Sequence, residues 1–388
     1  MKFCSKRSMF ARLLCALSTC LAISACGGTD PVDLQNPGES WPASPAIAGH
    51  RGASALRPEH TLAAYQRAID DGADIIEPDL VSSKDGVLVA RHENEISGTT
   101  NVSALTQFVE RKTTKLIDGI SVTGWFTEDF TLAELKTLRA KERIPTIRPA
   151  NATFDGQFEI PTLQEVIDLA KKQSIEKGRT IGIYPETKHP TYFKAIGLPM
   201  EKRLVDQLVA SGYKGKGAAV FIQSFEVANL KEIRSMTRMR IVQLIDNPKN
   251  LPVNGAPRNA PYDFVASGNG RTYADLVTPA GLKEIAQYAD VVAPYKEVII
   301  PRNAQNELGP VTSFVTDAKA VGLKVHTWTL RPENPFLPPS LRLPDVASLT
   351  QRGNSVAEIT AYLNAGIDGF FTDDPAVGQM AVSAFKKK

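Results

Sequence analysis

Near the start of this chain His50-Arg51-Gly52 is followed by Pro58-Glu59-His60-Thr61, then Glu77-Pro78-Asp79, then His92. No other stretch is so dense in reactive side chains. Imidazoles, a guanidinium and an acidic pair are the parts that hold a metal ion and cleave a phosphate ester. Two histidines, His50 and His92, supply a base and an acid near neutral pH. Arg51 presents a fixed fork of donors suited to phosphate oxygens, and Gly52 lets backbone come close to a ligand. Glu77 and Asp79, two apart on a strand, project to one side, where two carboxylates repel unless a cation or a proton sits between them. Hard oxygen ligands suit Ca²⁺, Mg²⁺ or Mn²⁺ rather than zinc. Taken singly, each group also has an ordinary role: a satisfied imidazole, a solvated acidic pair, or a rim ion pair worth little.

Such a constellation needs strand ends to hold it. From Ala46 onward, apolar runs alternate with amphipathic segments of helical period, the pattern of βαβ units. Strands are expected at 46–50, 75–81, 180–188, 219–224, 240–245, 290–294, 323–330 and 369–372. That set matches an α/β fold of the (β/α)₈ TIM-barrel type, in which catalytic side chains sit at the C-terminal ends of the strands. Helical periodicity covers 61–71, 163–171, 201–210, 227–236, 281–288, 311–320, 355–364 and 375–386. Asp374-Pro375 opens the last helix with a capping oxygen and a pre-set φ. Lys84-Asp85-Gly86-Val87 reads as a hairpin turn that carries the chain from the second strand up to His92. Glu186 then ends the third strand as a third metal ligand, with Lys188 two residues on, placed to balance phosphate charge.

Three stretches exceed a minimal barrel, at roughly 93–160, 246–280 and 331–353. The longest, after the second strand, carries Trp125, Phe126 and Phe130 and is expected to form a cap or subdomain over the catalytic face. The domain of residues 46–388 is preceded by two segments of other kinds. Residues 1–25 have a basic start and an apolar stretch, and Ile23-Ser24-Ala25-Cys26 resembles a bacterial lipobox, so a lipoprotein-type signal peptide is expected. Residues 26–45 are rich in Gly, Pro, Ser, Asn and Asp and are expected to be a flexible tether. The protein is therefore expected to be exported, in the periplasm or at the outer membrane as a lipoprotein anchored through Cys26. All four cysteines, Cys4, Cys15, Cys20 and Cys26, lie in the first 26 residues, so no thiol remains for a disulfide or zinc site in the domain. Removing residues 1–25 takes away Lys2, Lys6, Arg7 and Arg12 and no acid, so the formal charge falls by four from +3 to −1. A near-neutral chain lacks the basic stripe that nucleic-acid binding requires.

The run from Ala48-Gly49-His50-Arg51-Gly52 through Pro58-Glu59-His60-Thr61, Glu77-Pro78-Asp79, Asp85-Gly86 and His92 resembles the glycerophosphodiester phosphodiesterase family. Tyr184-Pro185-Glu186-Thr187-Lys188, Gln223-Ser224-Phe225, His326-Thr327-Trp328-Thr329 and Gly369-Phe370-Phe371-Thr372-Asp373 continue it to the end of the chain. The long insertion is similar to that of the periplasmic branch. The resemblance implies a TIM barrel, hydrolysis of small-molecule glycerophosphodiesters to sn-glycerol 3-phosphate and an alcohol, and one divalent cation, Ca²⁺ before Mg²⁺ or Mn²⁺. It implies His50 and His92 as the acid and base, Glu77, Asp79 and Glu186 as metal ligands, and Arg51 and Lys188 as phosphate-binding groups. Trp328 resembles the family aromatic that lines the site.

Two positions depart from the family pattern. Glu93 follows His92 where the family often has Asp, and His60 stands where Asn is more frequent. His60 is expected to start the first helix without a catalytic part, and His189 and His326 to be structural or supporting. Two rival functions are open to the sequence. A phospholipase C or D-type enzyme on intact lipids needs an exposed apolar rim. A non-catalytic surface-binding lipoprotein has no need of both histidines and three acids together.

Overall fold

Eight parallel strands close on themselves in the computed structural model, which describes residues 33–253, 255–343 and 348–387. The first strand, Ala46–His50, pairs on one side with the eighth, Gly369–Thr372, and on the other with the second. The second runs as Ile75–Glu77 and Asp79–Ser82 about Pro78, and the third as Gly182–Ile183 and Glu186–Thr187 about Tyr184-Pro185. Proline has no N–H to give to a ladder, so both strands are interrupted there. Their halves still face each other, Ile75 opposite Gly182 and Asp79 opposite Glu186. Phe221–Ser224, Arg240–Ile245, Val291–Pro294 and Lys324–Leu330 complete the ring. This is the expected barrel, each strand falling within its expected range apart from Ser82 at the end of the second.

Helices on one side and neighbours across the barrel on the other leave these strands buried on both faces, which is why they read as apolar runs. Side chains that point outward pack under the helices. Those that point inward, Ala46, Ala48, Ile75, Tyr184, Phe221, Val242, Leu244, Val291, Ala293 and Phe371, form a second core inside the ring. The alternation of a strand then carries each inward row up to the mouth: His50 follows Ala48, Glu77 follows Ile75, Glu186 follows Tyr184 and Gln223 follows Phe221.

Caps set where the helices start. Thr61 accepts from the Ala64 N–H ahead of Leu62–Asp70, and Asp374 accepts from the Val377 N–H ahead of Pro375–Lys386. Leu163–Lys177 opens on a Thr162/Glu165 capping box and ends at Gly178, whose φ of +61° closes the helix in the left-handed region. It outruns the expected 163–171 because its last two turns are made of good helix formers with little apolar periodicity. The helix expected at 281–288 begins earlier, at Pro279 with Thr278 as its cap.

The Lys84–Val87 turn forms the expected hairpin, setting Leu88–Ala90 antiparallel to Asp79–Ser82 with Leu80 opposite Ala90. Past His92 the chain lays down short helices and a ribbon, Thr113–Ile117 with Ile120–Gly124. Phe108, Trp125 and Phe130 from this region join the same apolar core as the barrel helices.

The tether expected over 26–45 is corrected in its second part, because residues 33–45 are packed across the barrel's floor. Gln35 O accepts from the Ala219 N–H at 2.8 Å, Gly38 N–H donates to Gly217 O at 3.1 Å, and Arg240 donates to the carbonyls of Gly38 and Glu39. The Trp41 ring lies 6.2 Å from that of Phe221 and fills the space that a Cβ on Gly182 would occupy. Polar composition hid this: one indole with ordered backbone partners outweighs the loop-forming residues around it. The expected signal peptide and Cys26 lie outside the described residues, and among the described residues no helix is long and apolar enough to cross a membrane.

Candidate active site

Glu77, Asp79 and Glu186 come together at the C-terminal mouth of the barrel, each buried, with one oxygen from each lying within 4.8 Å of the others. Strand register does this: His50 sits opposite Glu77, Asp79 opposite Glu186, and Glu186 opposite Gln223. Gln223 donates to Glu77 Oε1 at 3.0 Å, the Arg51 N–H donates to Glu77 Oε2 at 2.7 Å, and Lys188 Nζ stands 3.0 Å from Glu186 Oε1. Burial, and after it the neighbouring carboxylates, pushes Glu77 well above the ordinary range, and burial pushes Glu186 up to about 8. Asp79 is held well below its ordinary value although burial works the other way, because His60 and Lys188 favour its charge. Asp79 Oδ1 is buried with no hydrogen-bond partner. Three crowded carboxylates and an unpartnered oxygen fit a hard divalent cation.

The two histidines face the same cavity, which is also lined by Arg51, Phe225, Leu244, Trp328, Arg331 and Phe371. His50 donates Nδ1–H to Asp373 Oδ1 at 2.6 Å, leaving Nε2 free to accept. His92 places Nδ1 2.5 Å from Glu93 Oε1 and Nε2 3.3 Å from Lys188 Nζ. Burial lowers His50 to about 4, against the pull of Asp373, and burial followed by Arg51 lowers His92 to about 3. Both rings are therefore neutral at pH 7 and able to take up a proton. Arg51 holds a backbone φ of +57°, a costly conformation for a residue with a Cβ and one that recurs at functional sites. Its Nη1 lies 3.1 Å from Glu59 Oε2 and its Nε 3.6 Å from Asp79 Oδ2. Trp328 donates Nε1–H to Ala293 O at 2.9 Å and meets Phe225 and Tyr295 edge-on. All eight residues singled out in the sequence thus lie in or against one cavity.

The family model for the glycerophosphoryl diester phosphodiesterase family matches residues 50–377. The chain belongs to that family. A glycerophosphodiester phosphodiesterase of Arabidopsis thaliana is 36% identical over 337 residues, covering 84% of this chain and 82% of the relative. Another, from Haemophilus influenzae, is 27% identical over 354 residues, 86% of this chain and 88% of the relative. Among solved structures, a glycerophosphoryl diester phosphodiesterase from Silicibacter pomeroyi superposes with a TM-score of 0.59 at 20% identity, covering 91% of this chain and 96% of its own. A phosphodiesterase from Oleispira antarctica, solved with the product sn-glycerol-3-phosphate, gives 0.52 at 19% identity over 88% and 97%. The two structures share the barrel fold.

Several residues that belong to this glycerophosphodiester phosphodiesterase site escaped the sequence reading. His60 is fully buried, with Nε2 2.9 Å from Asp79 Oδ2 and Nδ1 2.8 Å from the Tyr65 hydroxyl, so it braces a candidate metal ligand rather than simply starting a helix. Asp373, quoted above as part of a motif, is the partner of His50. Its signal was legible, since it stands two residues after the inward Phe371. Arg143 and Arg148 reach the site from outside the barrel and carry no motif. His326 is buried inside the ring, 3.0 Å from the Tyr184 hydroxyl, and His189 pairs with Asp118 at 2.5 Å, in keeping with supporting roles.

Proposed function

We propose that the protein hydrolyses glycerophosphodiesters to sn-glycerol 3-phosphate and an alcohol, using His50 and His92 as the acid and base beside a divalent cation held by Glu77, Asp79 and Glu186. The observation that carries this reading is the single cavity at the barrel mouth that both histidines and all three carboxylates line. A bound cation, Ca²⁺ before Mg²⁺ or Mn²⁺, would polarise phosphoryl oxygens and offset their charge. The remaining work falls to the chain itself. Arg51 and Lys188 add positive charge for a phosphate, and Trp328, backed by Phe225 and Tyr295, offers an apolar wall for the organic part of the substrate. His50 takes a proton at Nε2, and Asp373 at Nδ1 fixes its tautomer and stabilises the resulting cation. His92 serves the opposite step: neutral in the free site, it must first gain a proton from solvent, which it then gives to the leaving alcohol oxygen. The attacking oxygen is either the neighbouring glycerol hydroxyl, giving a cyclic phosphate that water then opens, or water directly.

His50→Ala and His92→Ala are each expected to lower kcat by at least ~10²-fold in a coupled assay for glycerol 3-phosphate release from glycerophosphocholine. Near-normal turnover in either variant would remove the acid and base assignment. Activity that survives exhaustive chelation would remove the metal, and adding back Ca²⁺, Mg²⁺ and Mn²⁺ separately identifies the ion. The leader and the long insertion support placement in the periplasmic branch, as an exported lipoprotein modified at Cys26. Labelled fatty acid is expected in the parent protein and not in a Cys26→Ser variant. Preference for soluble glycerophosphocholine over mixed micelles of intact lipid separates this reading from a phospholipase.

A further inference from the structure

Residues 142–151, which lie outside the barrel, reach both histidines through the same three-part relay. In the first, His50 Nδ1 meets Asp373 Oδ1 at 2.6 Å, and the other oxygen, Oδ2, accepts from Arg148 Nη2 at 2.5 Å. In the second, His92 Nδ1 meets Glu93 Oε1 at 2.5 Å, and Oε2 lies 2.8 Å from Arg143 Nη2. Arg143 also grips Glu59 with two donors, at 2.9 and 2.6 Å, and Glu59 in turn holds Arg51. Arg148 is anchored at 2.7 Å by Glu333 and donates to Ser54 O at 2.9 Å, while Ser54 Oγ donates to His50 O at 2.9 Å. The segment is itself closed: Glu142 accepts from the Ile144 N–H at 2.9 Å and from Asn151, which also donates to Ser54 O at 3.1 Å.

A carboxylate bonded to a histidine through one oxygen can still swing about its own torsions and take the ring with it. Fixing the second oxygen with a guanidinium removes that freedom, and a forked donor does so at little further entropic cost. Asp373 has a second cation, Arg331, at 3.1 Å, but that side chain is part-exposed whereas Arg148 is buried. We propose that residues 142–151 form a positioning strap, in which Arg148 and Arg143 orient His50 and His92 through Asp373 and Glu93. The proposal rests on the reading of the two histidines as acid and base. The two rings must address opposite ends of one reaction, so their spacing has to be kept, and a misplacement of about 1 Å can cost ~10²-fold in rate.

The test measures kcat and KM in the full-length, metal-saturated protein for Arg148→Met, Arg148→Lys and Arg143→Met. Each is measured alone and combined with His50→Ala or His92→Ala. Arg148→Met is expected to lower kcat by roughly 10- to 10²-fold, with KM within about twofold, and to cost nothing further once His50 is gone. Arg143→Met is expected to lose its kcat effect in the His92→Ala background while still raising KM through Arg51. Arg148→Lys keeps the charge but not the fork, so it gives the answer should the Met variant fail to fold. It is expected to share the kcat loss and its masking by His50→Ala. A merely structural role would give the same fold-loss with or without the histidine, and that result, or turnover within twofold of the parent in both arginine variants, overturns the strap. Normal turnover in His50→Ala and His92→Ala would instead overturn the acid and base reading itself, and the strap with it.

Discussion

At the scale of single residues, His60 shows how far a side chain's type is from its task. Its Nε2 sits on Asp79 Oδ2 and its Nδ1 on the Tyr65 hydroxyl, so the ring fixes the direction in which Asp79 presents its free oxygen. Partners of this kind govern metal affinity without touching the metal. His60→Ala is therefore expected to raise the Ca²⁺ concentration for half-saturation by roughly 10- to 100-fold, measured by calorimetric titration. His60→Asn, which keeps a donor, is expected to recover most of the affinity, and equal affinity in parent and His60→Ala would show that the contact is idle. The sequence made the groups that line the cavity legible because their chemistry is rare in combination: two imidazoles, an Arg and three acids at strand ends. It hid the supporting groups, because a buried His or Arg carries no periodic signature and its partners lie far along the chain. Glu59 and Arg143, or Arg148 and Asp373, meet only after the barrel has closed.

Elements were legible where burial imposes a period. The strands at 46–50, 240–245 and 369–372 and the helices at 201–210, 227–236, 355–364 and 375–386 fall where apolar spacing places them. Proline breaks within the second and third strands were less visible, since the in-and-out alternation of side chains continues past Pro78 and Pro185 while the ladder does not. The floor segment was missed because composition speaks for a stretch's average and Trp41 acts alone. Its indole is half-buried against Phe221 and takes the room beside Gly182. Trp41→Ala is expected to destabilise the protein by about 3 kcal/mol, the lower end for loss of a large packed aromatic, as read from a denaturant midpoint shift. Because the floor is at the opposite end of the barrel from the mouth, KM is expected to stay unchanged. A stability equal to the parent's would mean that residues 33–45 contribute nothing to the fold.

For the molecule as a whole, the acidic triad ties the stability of the barrel to pH and, on the proposed function, to a bound cation. Burial leaves Glu186 with a folded-state value of about 8 and Glu77 well above its ordinary one, whereas in the unfolded chain both titrate near 4.5. Between about 4.5 and about 8 Glu77 and Glu186 thus hold more protons in the cation-free folded state than in the unfolded chain. Their contribution to stability then falls as pH rises through that window, while His50 and His92, lowered to about 4 and about 3, contribute in the opposite direction below about 6.5. A cation at the triad would replace those protons, so its binding would release them and tighten as pH rises. The gain in Tm on adding Ca²⁺ to chelated protein is expected to be small at pH 5 and to grow steadily to pH 8. With free metal at a hundred times Kd the stabilisation reaches about 2.7 kcal/mol. A parallel series on Glu186→Gln, which cannot ionise, is expected to show a flatter dependence and a smaller gain. A Ca²⁺-induced shift that is constant or shrinks from pH 5 to pH 8 would mean that the three carboxylates do not compete between protons and a cation, and that the metal is held elsewhere.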